Sequence, residues 1–210
     1  MHKLLIVGAG GFGREALDWA SQVPPEKRDW EVAGFLDDYP DALNGKNCAF
    51  RILGDPQTYP LKEEDRVVCA LGDPAARLRC CRMLKARGAR FVSLVHPTVI
   101  IGSNTTWGDG CIFCPYSLIS NNVVLGNYVM LNTYAAIGHD ASVGEGCTLG
   151  PYASVTGWTV LGEGVTMGSH SVVLPRATVG DHAVVGAGSV VLKRVKAGTS
   201  VFGVPATEML

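Results

Sequence analysis

Of the five histidines in this 210-residue chain, one is followed directly by a carboxylate: His139, before Asp140. An imidazole beside a carboxylate can take a proton from an incoming nucleophile, the carboxylate orienting the ring and favouring its protonated form. His2 is terminal, His96 precedes Pro97, and His170 and His182 stand in turn-like contexts, followed by Ser171 and Ala183 rather than by an acid. A second candidate lies near the N-terminus. Gly8-Ala9-Gly10-Gly11-Phe12-Gly13 follows the apolar run Lys3–Val7 and leads into a helical pattern that continues through Ala20. This G-x-G-x-x-G spacing between a strand and a helix presents backbone N–H groups and a helix N-terminus to a phosphate. A structural glycine turn, a dinucleotide and a nucleotide-bearing substrate all fit it. A second strand, Val32–Leu36, ends in Asp37-Asp38, where a carboxylate can accept from a ribose or a base.

These residues need elements to hold them. From Ile101, every sixth residue through Val191 is apolar, sixteen in succession, and the residue four places on is small or β-branched each time, from Thr105 to Ser189 and Val195. That is a hexapeptide repeat, which predicts a parallel β-helix: three hexads close a triangular coil of 18 residues, the large and small positions point inward, and Gly, Asn and Asp serve the turns. Residues 18 apart should stack about 4.8 Å apart, giving an interior ladder of Ile101, Ile119, Ile137, Val155, Val173 and Val191 in just over five coils. His139 then stands at a turn of the third coil with Gly157 stacked on it. The spacing leaves handedness open, and the crossover rule for parallel strands favours right-handed connections.

Upstream, strands at Lys3–Val7, Val32–Leu36, Arg66–Leu71 and Phe91–Val95 and helices after Gly13 and from Pro74 to Lys85 predict an α/β, Rossmann-like half domain over residues 1–95, with the β-helix over 96–210. A missing second mononucleotide half counts against a dinucleotide cofactor. The net charge of -1 and the lack of a basic run exclude nucleic acid as a main partner. No apolar run approaches a membrane span and Gly8 comes too early for a secretion signal. The seven cysteines form no disulfide-like framework, Cys111 and Cys147 falling on the small interior position. The expectation is a reduced, cytoplasmic protein with no membrane insertion.

A Rossmann-like half followed by hexapeptide coils resembles the bacterial sugar acetyltransferases of the sialic-acid O-acetyltransferase type, including the N-acetyltransferases that act on nucleotide-linked 4-amino sugars. The Gly8–Gly13 loop, Leu36-Asp37-Asp38, Ala70-Leu71-Gly72, Asn132 to Gly144 and Gly203-Val204-Pro205-Ala206 carry the resemblance. It implies a left-handed β-helix, a homotrimer with acetyl-CoA bound between coils of two subunits, and a place in surface-glycan biosynthesis. It also implies His139 as general base with Asp140 supporting it, the Gly157 N–H as oxyanion donor, and Gly10, Gly11, Phe12, Asp37, Asp38 and Gly72 as the sugar-nucleotide site. Thr148, Ser169 and Ala187 match positions that line acetyl-CoA. Amide formation from a thioester needs a base and oxyanion donors but no metal. Two alternatives stand beside this: transfer to a sugar hydroxyl, and a non-catalytic or metal-dependent β-helix of the γ-carbonic-anhydrase kind. The latter requires three histidines on one metal, and His139, His170 and His182 are not spaced by multiples of 18.

Overall fold

The structure, a computed structural model, describes residues 1–209. The first part is a parallel sheet in the order β3-β2-β1-β4, with β1 at His2–Val7, β2 at Trp30–Leu36, β3 at Ile52–Gly54 and β4 at Asp65–Cys69. Alternate side chains of β1 serve opposite layers. Leu4 and Ile6 pack with Ala16, Leu17 and Ala20 of helix α1 (Gly11–Gln22), whereas Leu5 and Val7 pack with Leu78, Cys81 and Leu84 of α2 (Pro74–Ala86). Asp73 caps α2, its Oδ2 accepting from the Ala76 N–H at 2.6 Å, with Pro74 in the first turn. Strand β3 escaped the sequence reading because it is three residues long and sits at the sheet edge.

The predicted strand Phe91–Val95 divides between the two parts. Phe91 makes a single bridge to Val67, while Leu94–Val95 pairs with Ile112–Phe113 as the first rung of the solenoid. From there the chain winds a triangular prism of two-residue rungs. The first face runs from Leu94–Val95 to Ser200–Phe202 and has seven parallel rungs; the second, Ile100–Ile101 to Val190–Val191, and the third, Thr106–Trp107 to Arg194–Val195, have six each. The solenoid is thus longer than just over five coils, because Val95 and Val201 extend the pattern beyond the hexads read from the sequence.

In each rung the second residue points inward. The predicted ladder from Ile119 to Val191 is buried on the second face, and the small positions from Cys111 to Ser189 are all at most 2% exposed. Two expectations are corrected. Trp107 is 39% exposed: it lies in the terminal rung of the third face, with no coil before it, and packs edge-on against Phe113. Val195, expected at a small interior position, instead stacks on Val179 in an inward rung, because the last coil is two residues short and pairs Thr178 with Arg194 rather than following the 18-residue step.

From Asn104 to Gly188 each corner of the prism carries a residue with φ near +60°. Gly, Asn and Asp fill some of these places as expected, but Tyr116, Tyr134, Tyr152, Trp158, His170, Arg176 and His182 also adopt this conformation. The left-handed region costs a non-glycine residue about 1–2 kcal/mol. The coil geometry imposes it whatever the side chain, and stacking of the exposed rings offsets part of the cost.

The α/β part covers the first face. Leu94, Ile112, Cys114 and Met130 point outward from it and are buried against the α1 layer. Arg77 of α2 fastens the other side. Its guanidinium is buried and donates to Tyr128 O (3.2 Å), Leu71 O (2.9 Å), Gly146 O (2.7 Å) and Thr148 Oγ1 (2.7 Å). Arg82 with Glu145 and Glu163, and Lys85 with Asp109, add exposed ion pairs along the same corner.

Candidate active site

Take the corner between the first and second faces as the first edge, that between the second and third as the second edge, and that between the third and first as the third edge. His139 stands on the second edge, opposite the face covered by the α/β part. Its rung, Ala136–Ile137, is followed by Gly138, whose bare Cα lets the chain press on the next coil: a Cβ there would lie 2.7 Å from Gly157 N. Asp140 takes the left-handed turn at φ 58° and Ala141 returns to the interior.

His139 Nδ1 lies 2.7 Å from Asp140 Oδ2. A carboxylate can only accept, so Nδ1 carries the proton and Nε2 keeps its lone pair. The hydrogen bond from His139 and a second from Asn122 hold the Asp140 carboxyl below the usual carboxylate range. Asn122 Nδ2 donates to Asp140 Oδ1 at 3.1 Å, and Asn104 Nδ2 donates to Asn122 Oδ1 at 3.2 Å, so three coils brace one carboxylate. Across the next coil Trp158 meets the imidazole edge-on, 4.4 Å between centroids, and the Arg176 guanidinium lies 4.5 Å from the Trp158 ring centre. Asn122, Trp158 and Arg176 were not singled out from the sequence, although the 18-residue step from Asp140 lands on each of them.

Gly157 lies directly against the His139 ring. A Cβ at this position would stand 2.8 Å from His139 Nε2, so only glycine admits the ring where it is. The Gly157 N–H has no hydrogen-bond partner among the described residues. An imidazole nitrogen and a residue with an unpartnered backbone N–H are therefore in contact, and acyl transfer draws on a base and an oxyanion donor.

The other sequence-nominated residues lie elsewhere. Asp37 secures the glycine loop: its Oδ2 accepts from Ala9 N (2.6 Å) and its Oδ1 from Tyr39 N (2.9 Å). Gly10 and Gly11 open the first turn of α1 with open space beside them, and Phe12 packs edge-on against Trp19. Gly13 is forced, since a Cβ there would lie 1.8 Å from Gly8 O. Asp38, Gly8 and Asp37 line a cavity of about 460 Å³ beside α2. Gly72 lies in the adjacent β4–α2 loop, its carbonyl 3.4 Å from Arg77 Nη1. Ser169 and Ala187 sit one coil apart on the first edge, whereas the Thr148 hydroxyl lies on the first face and binds Arg77.

His139, His170 and His182 occupy three different edges. His170 stacks on Tyr152, and His182 Nε2 lies 3.6 Å from Glu163 Oε1. Among the described residues no group of three or more His, Cys, Asp or Glu is placed to hold a metal ion, and no helix is long and apolar enough to cross a membrane. Cys111 and Cys147 are buried in the prism, and burial pushes the Cys111 thiol up to about 11.

Two family models match separate stretches of the chain. Residues 3–84 match the PglD N-terminal domain, and residues 122–157 and 159–193 match the bacterial transferase hexapeptide repeats. The first match falls on the α/β part and the second on the solenoid. Among solved structures it is similar to PerB from Caulobacter crescentus in complex with CoA and GDP-perosamine (25% identity, TM-score 0.88, 100% of this chain and 98% of that one). It is also similar to the acetyltransferase domain of PglB from Neisseria gonorrhoeae in complex with acetyl coenzyme A (26% identity, TM-score 0.88, 99% of each chain). WeeI from Acinetobacter baumannii shares the fold at 24% identity, with a TM-score of 0.87 over 100% of both chains. No curated protein matches the sequence.

Proposed function

We propose that the protein is an acetyl-CoA-dependent N-acetyltransferase acting on a nucleotide-linked amino sugar. The observation that carries this is the His139–Asp140 pair at 2.7 Å, its ring packed against Gly157, whose N–H has no partner among the described residues. The PerB complex with CoA and GDP-perosamine and the PglB-domain complex with acetyl-CoA support the substrate classes. In this reading the amine nitrogen attacks the thioester carbonyl carbon as His139 Nε2 takes the amine proton. The carbonyl oxygen becomes an oxyanion that accepts from Gly157 N–H. Collapse of the intermediate reforms the carbonyl and expels the CoA sulfur, which takes up the proton held by the imidazole. Asp140 keeps the ring in the productive tautomer throughout.

The working unit in this reading is a homotrimer. A nucleotide sugar held at Gly10, Gly11, Phe12, Asp37, Asp38 and Gly72 would sit on the part that covers the first face. His139 lies on the edge opposite, and Ser169 and Ala187, offered as acetyl-CoA contacts, lie on the first edge. One chain therefore separates base, sugar and cofactor around its own prism, and a neighbouring copy reunites them. The second face between the two edges suits such a contact, with Ile100, Leu118, Ala136, Ser154 and Val172 pointing outward.

The test is turnover by purified protein with acetyl-CoA and a panel of nucleotide-linked amino sugars, read as CoA thiol release. Activity with at least one such sugar is expected; no release across the panel overturns the reading. Light scattering should give a three-chain mass, and a fully active monomer would overturn the shared site. Asp38→Ala should raise KM for the sugar far more than KM for acetyl-CoA.

A further inference from the structure

The cavity beside α2 has a composition that the glycine loop alone does not explain. Val7, Leu36, Pro56, Leu71 and Met83 give it apolar walls, and its volume of about 460 Å³ admits a flat heteroaromatic ring. Besides Asp37, three polar side chains line it: Asp38, Gln57 and Arg79. None of the three side chains has a hydrogen bond or ion pair among the described residues, whereas Asp37 beside them has both oxygens engaged by backbone. An apolar slot with three unpaired polar groups is what a nucleoside needs.

Chemistry divides the three. Asp38 follows the C-terminal end of β2, next to the strand that feeds the glycine loop, where a carboxylate takes ribose hydroxyls. Arg79 and Gln57 are then left for the base. Arg79 can donate but never accept, while Gln57 offers one carbonyl and one amide. Resting on the nucleotide-sugar reading above, we propose that this slot holds the nucleobase and that Arg79 selects a base with a ring carbonyl facing it. With the carbonyl taken at C6 of a purine or C4 of a pyrimidine, guanine, uracil and thymine meet that condition. Adenine and cytosine place an amino group at the matching position, which sets donor against donor and leaves the guanidinium unpaired. Gln57 serves the ring N–H beside that carbonyl.

Equilibrium binding of GDP, UDP, TDP, ADP and CDP to the full-length protein tests this, with acetyl-CoA as a control ligand. At least one of GDP, UDP and TDP should bind about tenfold or more tightly than ADP and CDP, the scale of one charge-assisted hydrogen bond. Arg79→Met should reduce the preferred ligand to the ADP level and leave acetyl-CoA affinity unchanged. ADP or CDP binding as tightly as the best of the others overturns the proposal. So does an Arg79→Met variant that weakens all five equally, since that marks a phosphate contact. If none of the five binds while acetyl-CoA does, the nucleotide-sugar reading itself falls and takes the proposal with it.

Discussion

Two edges of the prism run side by side along the second face on the same backbone and carry different chemistry. On the second edge Asn104, Asn122, Asp140, Trp158 and Arg176 hold φ between 56° and 64°; on the first, Tyr116, Tyr134, Tyr152 and His170 hold φ between 59° and 61°. Hydrogen bonds join the upper members of the second edge and aim a histidine. The first edge is a column of flat rings, 4.8 to 5.2 Å between centroids and within 12° of parallel. The interior residues have no such freedom, because each must fill a fixed space. The fold decides that a residue turns at each corner, and the outward side chain decides what the corner does.

The largest expected effect tests whether the second edge alone performs the chemistry. His139→Ala should lower kcat by about 10²–10⁴-fold, the usual contribution of a general base, with the melting temperature nearly unchanged. Near-wild-type kcat at neutral pH with both substrates still bound would remove the base assignment and leave the second edge structural.

The next concerns what holds the edges relative to the α/β part. Arg77→Met would leave the carbonyls of Leu71, Tyr128 and Gly146 and the Thr148 hydroxyl without their donor. Buried acceptors left unpaired predict a loss of about 2–4 kcal/mol in denaturant unfolding. A loss below about 1 kcal/mol would mean the two parts are held by the apolar contact on the first face alone.

Asp140→Asn sharpens the contrast within the second edge. It should cost about tenfold in kcat, less than His139→Ala, since in the proposed reaction Asp140 orients the ring without touching substrate. The sign of its pH effect follows from its lowered value. The unfolded carboxyl, near 3.9, binds a proton before the folded one does. The stabilisation it provides is therefore present above about pH 4 and is lost as pH falls through the lower folded value. The melting difference between wild type and variant should accordingly vanish in acid; a difference that persists there would trace to something other than the carboxylate charge.

These contrasts also mark what could be read from the sequence. Ile119, Ile137 and Cys147 were legible because a strict period states what stacks on what, and the His139–Gly157 contact is one step of that period. Asn122 was within reach by the same step from Asp140, but asparagine at a turn has an ordinary explanation, so it drew no attention. Arg77 was not legible. On α2 it reads as a solvent-facing arginine, and only the docking of the helix on the third edge, which no period encodes, buries it. The tyrosine column was hidden for another reason: turn chemistry leads one to expect Gly, Asn or Asp at left-handed positions, not aromatic rings.

The smallest effect addresses that column directly. Tyr116 is its end member, with one stacking neighbour, Tyr134, at 5.2 Å, and φ 61°. Tyr116→Ala removes the stack, worth about 0.5–1.5 kcal/mol, and keeps a Cβ in the left-handed region. Tyr116→Gly removes the same stack and also relieves about 1–2 kcal/mol of backbone cost, while gaining freedom in the unfolded chain that offsets part of the relief. The alanine variant should therefore be the less stable of the two by roughly 1 kcal/mol, with glycine close to wild type. Neither should change kcat, because Tyr116 stands about three coils from Ser169 along the first edge and His139 lies on the second. If both variants lose the same stability, the conformational cost at the corners is negligible and stacking alone sets this edge. If either changes kcat as strongly as Asp140→Asn does, the two edges are coupled across the second face.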